Sequence, residues 1–190
     1  MLEDGGLVYP IAMRVPVLTV FLICFGAMGT SAHDSLYNYI EVRINPDSEI
    51  RIDFSVHGPE LAITYGVDPL TTDTSWLDVL SPDQAEKLLD DAGSFILKTF
   101  QVCSADENLL TASDLFLPTL PEVKESWKMS EGARPGSFVG TLLLPTSLEN
   151  VTFQYGKADK RLMLVVTRPG SFPKVYDIGA EQSQKIDLSP

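Results

Sequence analysis

Ile50-Arg51-Ile52-Asp53-Phe54-Ser55-Val56-His57 alternates apolar and polar side chains without a break. Successive side chains of a strand point to opposite faces, so this period of two predicts a strand with one buried face, carried by Ile50, Ile52, Phe54 and Val56. Upstream, Leu36, Tyr37, Tyr39, Ile40, Val42 and Ile44 form a second strand-like stretch, and Asn45-Pro46-Asp47-Ser48 between the two is a turn cluster. The pair reads as an N-terminal β-hairpin.

Downstream, Gly58-Pro59 and Gly66 punctuate the chain, and residues 68–74 mix Pro, Asp and Thr without apolar periodicity, as a loop does. Trp76, Leu77 and Leu80 return it to the core. At Ser81-Pro82-Asp83-Gln84 an N-cap, a proline in the first turn, an acid and a capping-box glutamine coincide, which starts a helix. Ala85, Leu88, Leu89, Ala92, Phe95 and Ile96 recur at helical spacing, so the helix is expected over about residues 82–99, with Gly93 a weak point costing about 1 kcal/mol against alanine.

Apolar stretches then follow at 109–117, 138–144, 151–155, 162–166 and 175–178, separated by Pro and Gly, while residues 119–136 show loop chemistry and no clear element. Short strands at regular spacing predict a mainly β fold: an immunoglobulin-like β-sandwich with one inserted α-helix.

The 190 residues have room for a short targeting segment and one domain. Val15 to Met28 is an uncharged, largely apolar run preceded by Arg14 and followed by Gly29-Thr30-Ser31-Ala32, the order of a secretory signal peptide. Residues 1–32 are therefore expected to be cleaved after Ala32, leaving residues 33–190 as one extracytoplasmic domain. Glu3 and Asp4 put negative charge where a signal wants positive, so Met13 is the expected start. Cys24 follows Ile23, which is not the small residue that precedes a lipidated cysteine. No later apolar run is long enough to span a bilayer, so no transmembrane segment is expected in the mature chain.

Net charge is −12, and removing Glu3, Asp4 and Arg14 with the signal leaves −11. Such a surface repels phosphate backbones, which argues against nucleic acid as a partner. Processing leaves Cys103 alone, so no intrachain disulfide forms, and Cys103 is expected as a small core residue rather than a nucleophile.

Metal binding is the first chemical candidate. Cleavage makes His33 the new N-terminus, whose α-amine and imidazole chelate copper, nickel or zinc, and His57 is positioned in the sequence to complete such a site. Asp68, Asp73 and Asp78 do not match the alternate-position spacing of a calcium loop and read as turn and capping residues. Hydrolytic motifs are missing: there is no G-x-S-x-G, no H-E-x-x-H and no cysteine near a histidine, though separated carboxylates are able to meet in space. Trp76, Trp127, Tyr37, Tyr39 and Tyr65 are either ligand-lining or packing aromatics.

The run Ala32-His33-Asp34-Ser35-Leu36-Tyr37 leads into Ile40-Glu41-Val42-Arg43-Ile44, and Leu162-Met163-Leu164-Val165-Val166-Thr167-Arg168-Pro169-Gly170 comes before a final segment with Gly179-Ala180-Glu181-Gln182-Ser183. In this order of features the chain resembles the extracytoplasmic N-terminal domain of HupE/UreJ-like bacterial membrane proteins. The membrane helices that carry that family's proposed nickel or cobalt permease role are not among these 190 residues, so transport does not carry over, and the resemblance implies either a stand-alone relative or a fragment that lacks the membrane part. The resemblance implies a β-rich domain and a membrane or envelope protein as partner.

Three readings stay open, in this order. The first is an exported, non-enzymatic binding or interaction domain accessory to a metal-related membrane protein. The second is a stand-alone periplasmic metal-binding protein using His33 and His57, and the third is a hydrolase with an unrecognised carboxylate site. The expected location is the periplasm or the extracellular space, with membrane association through a partner.

Overall fold

A computed structural model describes residues 37–45, 49–67, 76–105, 107–129 and 137–189. All of these lie in the second of the two units into which the chain divides, His33–Pro190. The expected signal peptide, Cys24, His33, Asp68 and Asp73 lie outside the described residues.

The expected hairpin is present. Strand β1 (Tyr37–Arg43) pairs antiparallel with β2 (Ile50–His57), with Ile40 opposite Phe54 and Val42 opposite Ile52. The alternation holds, since Ile50, Ile52, Phe54 and Val56 are all buried. A short helix α1 (Gly58–Ala62) and two 3-10 turns (Ile63–Tyr65 and Trp76–Val79) lead to the principal helix, α2 (Pro82–Thr99). Its capping box forms as expected: Gln84 N donates to Ser81 Oγ, and Ser81 N donates to Gln84 Oε1 at 2.9 Å. Ala85, Leu88, Ala92 and Ile96 make the buried stripe.

The remaining strands are β3 (Phe100–Ser104), β4 (Glu107–Asn108), β5 (Leu115–Phe116), β6 (Ser137–Leu144), β7 (Asn150–Tyr155), β8 (Arg161–Thr167), β9 (Lys174–Ile178) and β10 (Ser183–Asp187). They form a six-stranded sheet in the order β5-β6-β2-β1-β8-β9 and a four-stranded sheet in the order β10-β7-β3-β4. The fold is thus the mainly β sandwich expected, with α2 inserted between β2 and β3. Within the larger sheet β1 and β8 run parallel, Ile40 beside Leu164.

Between the sheets lies an aromatic stack. Phe54 of the larger sheet meets Phe100 of the smaller at 5.6 Å between ring centroids, and Phe100 stacks on Tyr155 at 5.6 Å. The Tyr155 hydroxyl accepts from Asn38 Nδ2 at 2.7 Å and donates to the Lys160 carbonyl at 2.6 Å, so the polar atom of this stack is satisfied by β1 of the opposite sheet and by the turn that leads into β8.

Two expectations change. Residues 119–136 are not featureless, because helix α3 spans Leu120–Met129. Its start is a second capping signature: Thr119 N and Oγ1 both donate to Glu122 Oε2, at 2.7 and 2.8 Å, with Pro121 in the first turn. Gly93 is not simply a weak point either. It is buried, and Leu117 Cδ1 sits 2.7 Å from where a Cβ would stand. Gly140 of β6 serves the same approach, since a Cβ there would lie 2.6 Å from Ile96 Cδ1 and 3.3 Å from Leu117 Cδ2. Both glycines give up local propensity so that α2 and Leu117 seat closely on the sheet.

Candidate functional site

Burying the even-numbered side chains of β2 turns Arg51, Asp53, Ser55 and His57 outward, and the strand register extends these positions into rows across the larger sheet. One row runs Thr141, Asp53, Glu41, Val165, Val175, and the next runs Val139, Ser55, Tyr39, Met163, Asp177. Asp53 is only 6% exposed although it faces outward, because the face itself encloses it. Arg51 Nε donates to both of its carboxylate oxygens at 2.9 Å, Thr141 Oγ1 donates at 2.7 Å, and Arg43 Nη1 lies 3.5 Å away.

Arg43 also donates through Nη2 to Glu41 at 2.8 Å, a bond that raises the guanidinium pKa, and Arg161 Nε donates to Asp177 at 2.6 Å. The three arginines in the outward rows are therefore matched by three acids, Glu41, Asp53 and Asp177, each within an ion pair. Around these pairs stand apolar side chains. Val175 is 57% exposed, Phe116 59%, and Val139 and Leu143 38% each. Phe116, Pro118, Val123, Val139, Leu143 and Arg51 line an open groove of about 490 Å³ at the β5–β6 edge. The outward face of the smaller sheet is different: Gln101, Cys103, Asn150, Thr152, Gln154, Ser183, Lys185 and Asp187 occupy it, with no large apolar side chain among the described residues.

His57 sits at one end of the larger sheet's face, opposite Ser137. Its side chain is 13% exposed, its Nδ1 lies 3.5 Å from Glu60 Oε1, and that buried nitrogen makes no hydrogen bond. Lys160 closes the cluster through an ion pair with the same Glu60 oxygen. Tyr37, Tyr39, Ser55 and Ser137 line the small cavity beside them, of about 20 Å³, enough for one water molecule.

Burial raises the Glu60 carboxyl, but His57 and Lys160 outweigh it and hold the pKa below the ordinary carboxylate value. A depressed folded-state pKa stabilises the fold above the unfolded carboxylate range and is lost as pH falls through the folded value. The urea midpoint should therefore fall on acidification from about pH 6 to about pH 3, and by less in Glu60→Gln. Equal slopes in the two proteins would contradict this.

Of the metal candidates, His57 is placed as described and His33 lies outside the described residues. Among the described residues no group of three or more His, Cys, Asp and Glu side chains gathers where a metal ion would sit. Asp78 is an exposed surface residue 3.4 Å from Lys124. Cys103, expected in the core, is half-buried on the outward face of the smaller sheet because Phe100 and Val102 take the inward positions of β3. Of the aromatic candidates, Tyr37 and Tyr39 line the His57 cavity and Tyr65 donates to Asp91 Oδ2 at 2.6 Å, while the side chains of Trp76 and Trp127 lie outside the described residues.

The ion-pair network was not foreseen from sequence. Arg51 and Asp53 were visible as the polar side of the alternation, but Thr141 stands inside an apolar run, and the pairing of β6 with β2 joins segments about ninety residues apart. Among the described residues no helix is long and apolar enough to cross a membrane. No protein-family model, curated protein or solved structure matches the chain.

Proposed function

We propose that this chain is an exported, non-enzymatic interaction domain that binds a protein partner through the outward face of its six-stranded sheet. The observation that carries this reading is the contrast between the two sheets. The larger presents exposed Phe116, Val139, Leu143 and Val175 among charges already paired within the face, next to a groove, and the smaller presents small and polar side chains. Apolar area interleaved with locally neutralised charge is what a protein surface needs in order to bury without stranding ions. The resemblance to HupE/UreJ-like domains adds that the partner is a membrane or envelope protein concerned with metal.

The test is chemical cross-linking in exporting cells, with wild type compared with the double variant Val139→Glu/Val175→Glu. Both side chains are exposed, so the variant keeps the native circular dichroism spectrum. The discrete cross-linked adduct of wild type should fall by roughly tenfold or more, the effect of placing unpaired charge in an apolar contact. An adduct equally abundant in the folded variant would overturn the proposal.

A second reading, transition-metal binding by the processed N-terminus with His57, is supported by the unbonded Nδ1 of His57 and by covalent reach. Tyr37, which lines the same cavity, follows His33 by four residues, a span of at most about 14 Å. The Lys160 ammonium on Glu60 opposes a cation there. Titration of the processed chain with copper, nickel and zinc decides it: binding that is lost in His57→Ala favours the metal reading, and no binding removes it.

A further inference from the structure

Among the described residues the most exposed large apolar side chain lies neither on a sheet face nor in the groove. It is Phe172, 98% exposed in the turn between β8 and β9. We infer that this turn is a lipid-contact tip: the Phe172 ring seats in the headgroup–acyl boundary of a phospholipid bilayer, with the Arg168 and Lys174 side chains against phosphate oxygens. The contact is separate from the protein-partner face described above and does not depend on it.

The backbone holds the ring out. Pro169 and Pro173 restrict the chain on either side of it, Gly170 takes a left-handed φ of 71°, and Ser171 N donates to the Arg168 carbonyl at 3.3 Å to close the turn. A turn braced in this way loses little conformational entropy on docking. The other large apolar side chains at the surface are 38–69% exposed, each resting partly on its neighbours, so Phe172 alone keeps almost none of its ring against the protein.

Charge points to the partner. The chain carries 26 Asp and Glu against 14 Lys and Arg, yet residues 160–176 hold four bases, Lys160, Arg161, Arg168 and Lys174, and no acid. Lys160 and Arg161 are ion-paired with Glu60 and Asp177; Arg168 and Lys174, one on each side of the turn, are in no ion pair among the described residues. Arg168 donates through Nε to the Ser189 carbonyl at 3.2 Å and through Nη2 to the Asp187 carbonyl, bonds that leave its charge uncancelled, and Lys174 Nζ lies 5.0 Å from the Tyr176 ring centroid. The acid facing both bases is Asp187, whose carboxyl is held below its ordinary pKa first by hydrogen bonding from Ser189 and then by Arg168 and Lys174. Two bases against one acid leave the tip positive, and aromatic rings beside cationic side chains are the composition of segments that lie in the headgroup region.

A bilayer fits this tip better than a protein pocket does. A specific protein interface buries on the order of 1,000 Å² or more in total, whereas one ring offers about 200 Å². The headgroup region takes in a single aromatic side chain without a complementary surface, and each base near it adds attraction to phosphate. One ring and two bases give a weak, reversible contact that orients the β8–β9 turn towards the bilayer. The net charge of −12 keeps the contact weak on anionic lipid and favours approach by this turn.

Flotation of the chain recovered from an exporting cell, with vesicles of phosphatidylcholine mixed with phosphatidylglycerol, tests this. Wild type should float with the lipid. Phe172→Ala should weaken binding by about tenfold or more and Lys174→Gln by about fivefold, while Val139→Ser, on the face of the six-stranded sheet, should leave it unchanged. Phe172 and Lys174 are exposed, so these variants keep the native circular dichroism spectrum. In Phe172→Trp, brominated acyl chains should quench emission beyond the quenching of wild type, whose only tryptophans are Trp76 and Trp127. Absence of flotation would overturn the lipid contact, as would equal flotation of wild type and Phe172→Ala, or no added quenching in Phe172→Trp. A photo-activated cross-linker at position 172 that captures a protein in exporting cells, from a chain that does not float, would assign the tip to a protein partner instead.

Discussion

Phe54→Ala should destabilise the fold by about 3–5 kcal/mol, the usual result of emptying a large aromatic site in a core that cannot collapse around it. Phe54 is fully buried on β2, and its ring meets Phe100 at 5.6 Å; Phe100 in turn is stacked on Tyr155 and met edge-on by Phe95 at 6.1 Å. The side chain is therefore a main contact between the two sheets, and α2 and β7 lean on the same ring cluster. Urea denaturation followed by fluorescence measures the loss. A change below about 1 kcal/mol would mean that the sheets do not close on one another at this point.

Asp53→Ala is the second large effect, expected at about 1–3 kcal/mol, because it strips the acceptor from Arg51 and Thr141 and leaves Arg43 with Glu41 alone. The figure is kept below that of a fully buried ion pair because the Arg43 and Arg51 side chains are about half exposed, so water replaces part of what is lost. Asp53→Asn should cost less, since the amide oxygen still accepts from Thr141 Oγ1. Comparable losses in the two variants would show that the charge, and not the acceptor, holds the network. Either outcome bears on binding, because Arg51 also lines the groove and its position there depends on Asp53.

Local signals in the sequence were legible where one element encodes its own period. The alternation over Ile50–His57 predicted β2, and the Ser81–Gln84 capping box predicted the start of α2. Strand β3 follows α2 with no loop, so the helix end at Thr99 and the strand start at Phe100 are one boundary with no turn residue to mark it. The capping pair Thr119 and Glu122 has the same spacing as Ser81 and Gln84, but it stands among Pro118, Pro121, Gly132 and Pro135, whose turn chemistry masks the helix start. Strands β4 and β5 are two residues each, too short to show a period.

What local reading does not contain is which distant strands meet. The hairpin that the sequence predicts already sets Glu41 and Arg43 beside Asp53 and Arg51, but the pairing of β2 with β6 adds Thr141 and the parallel pairing of β1 with β8 adds Met163 and Val165, and nothing in any one segment announces those partners. The candidate face is a product of topology. His57 was visible as a residue type, but its setting against Glu60 and Lys160 depends on α1 and on the turn before β8.

The interaction claim is tested most directly by placing a photo-activated cross-linking residue, one position at a time, at Val139, Val175, Gln101 and Lys185 in cells that export the chain. Adducts from Val139 and Val175, with none from Gln101 and Lys185 on the other sheet, are the result this account predicts. Adducts from Gln101 and Lys185 alone, or from none of the four positions, would contradict it.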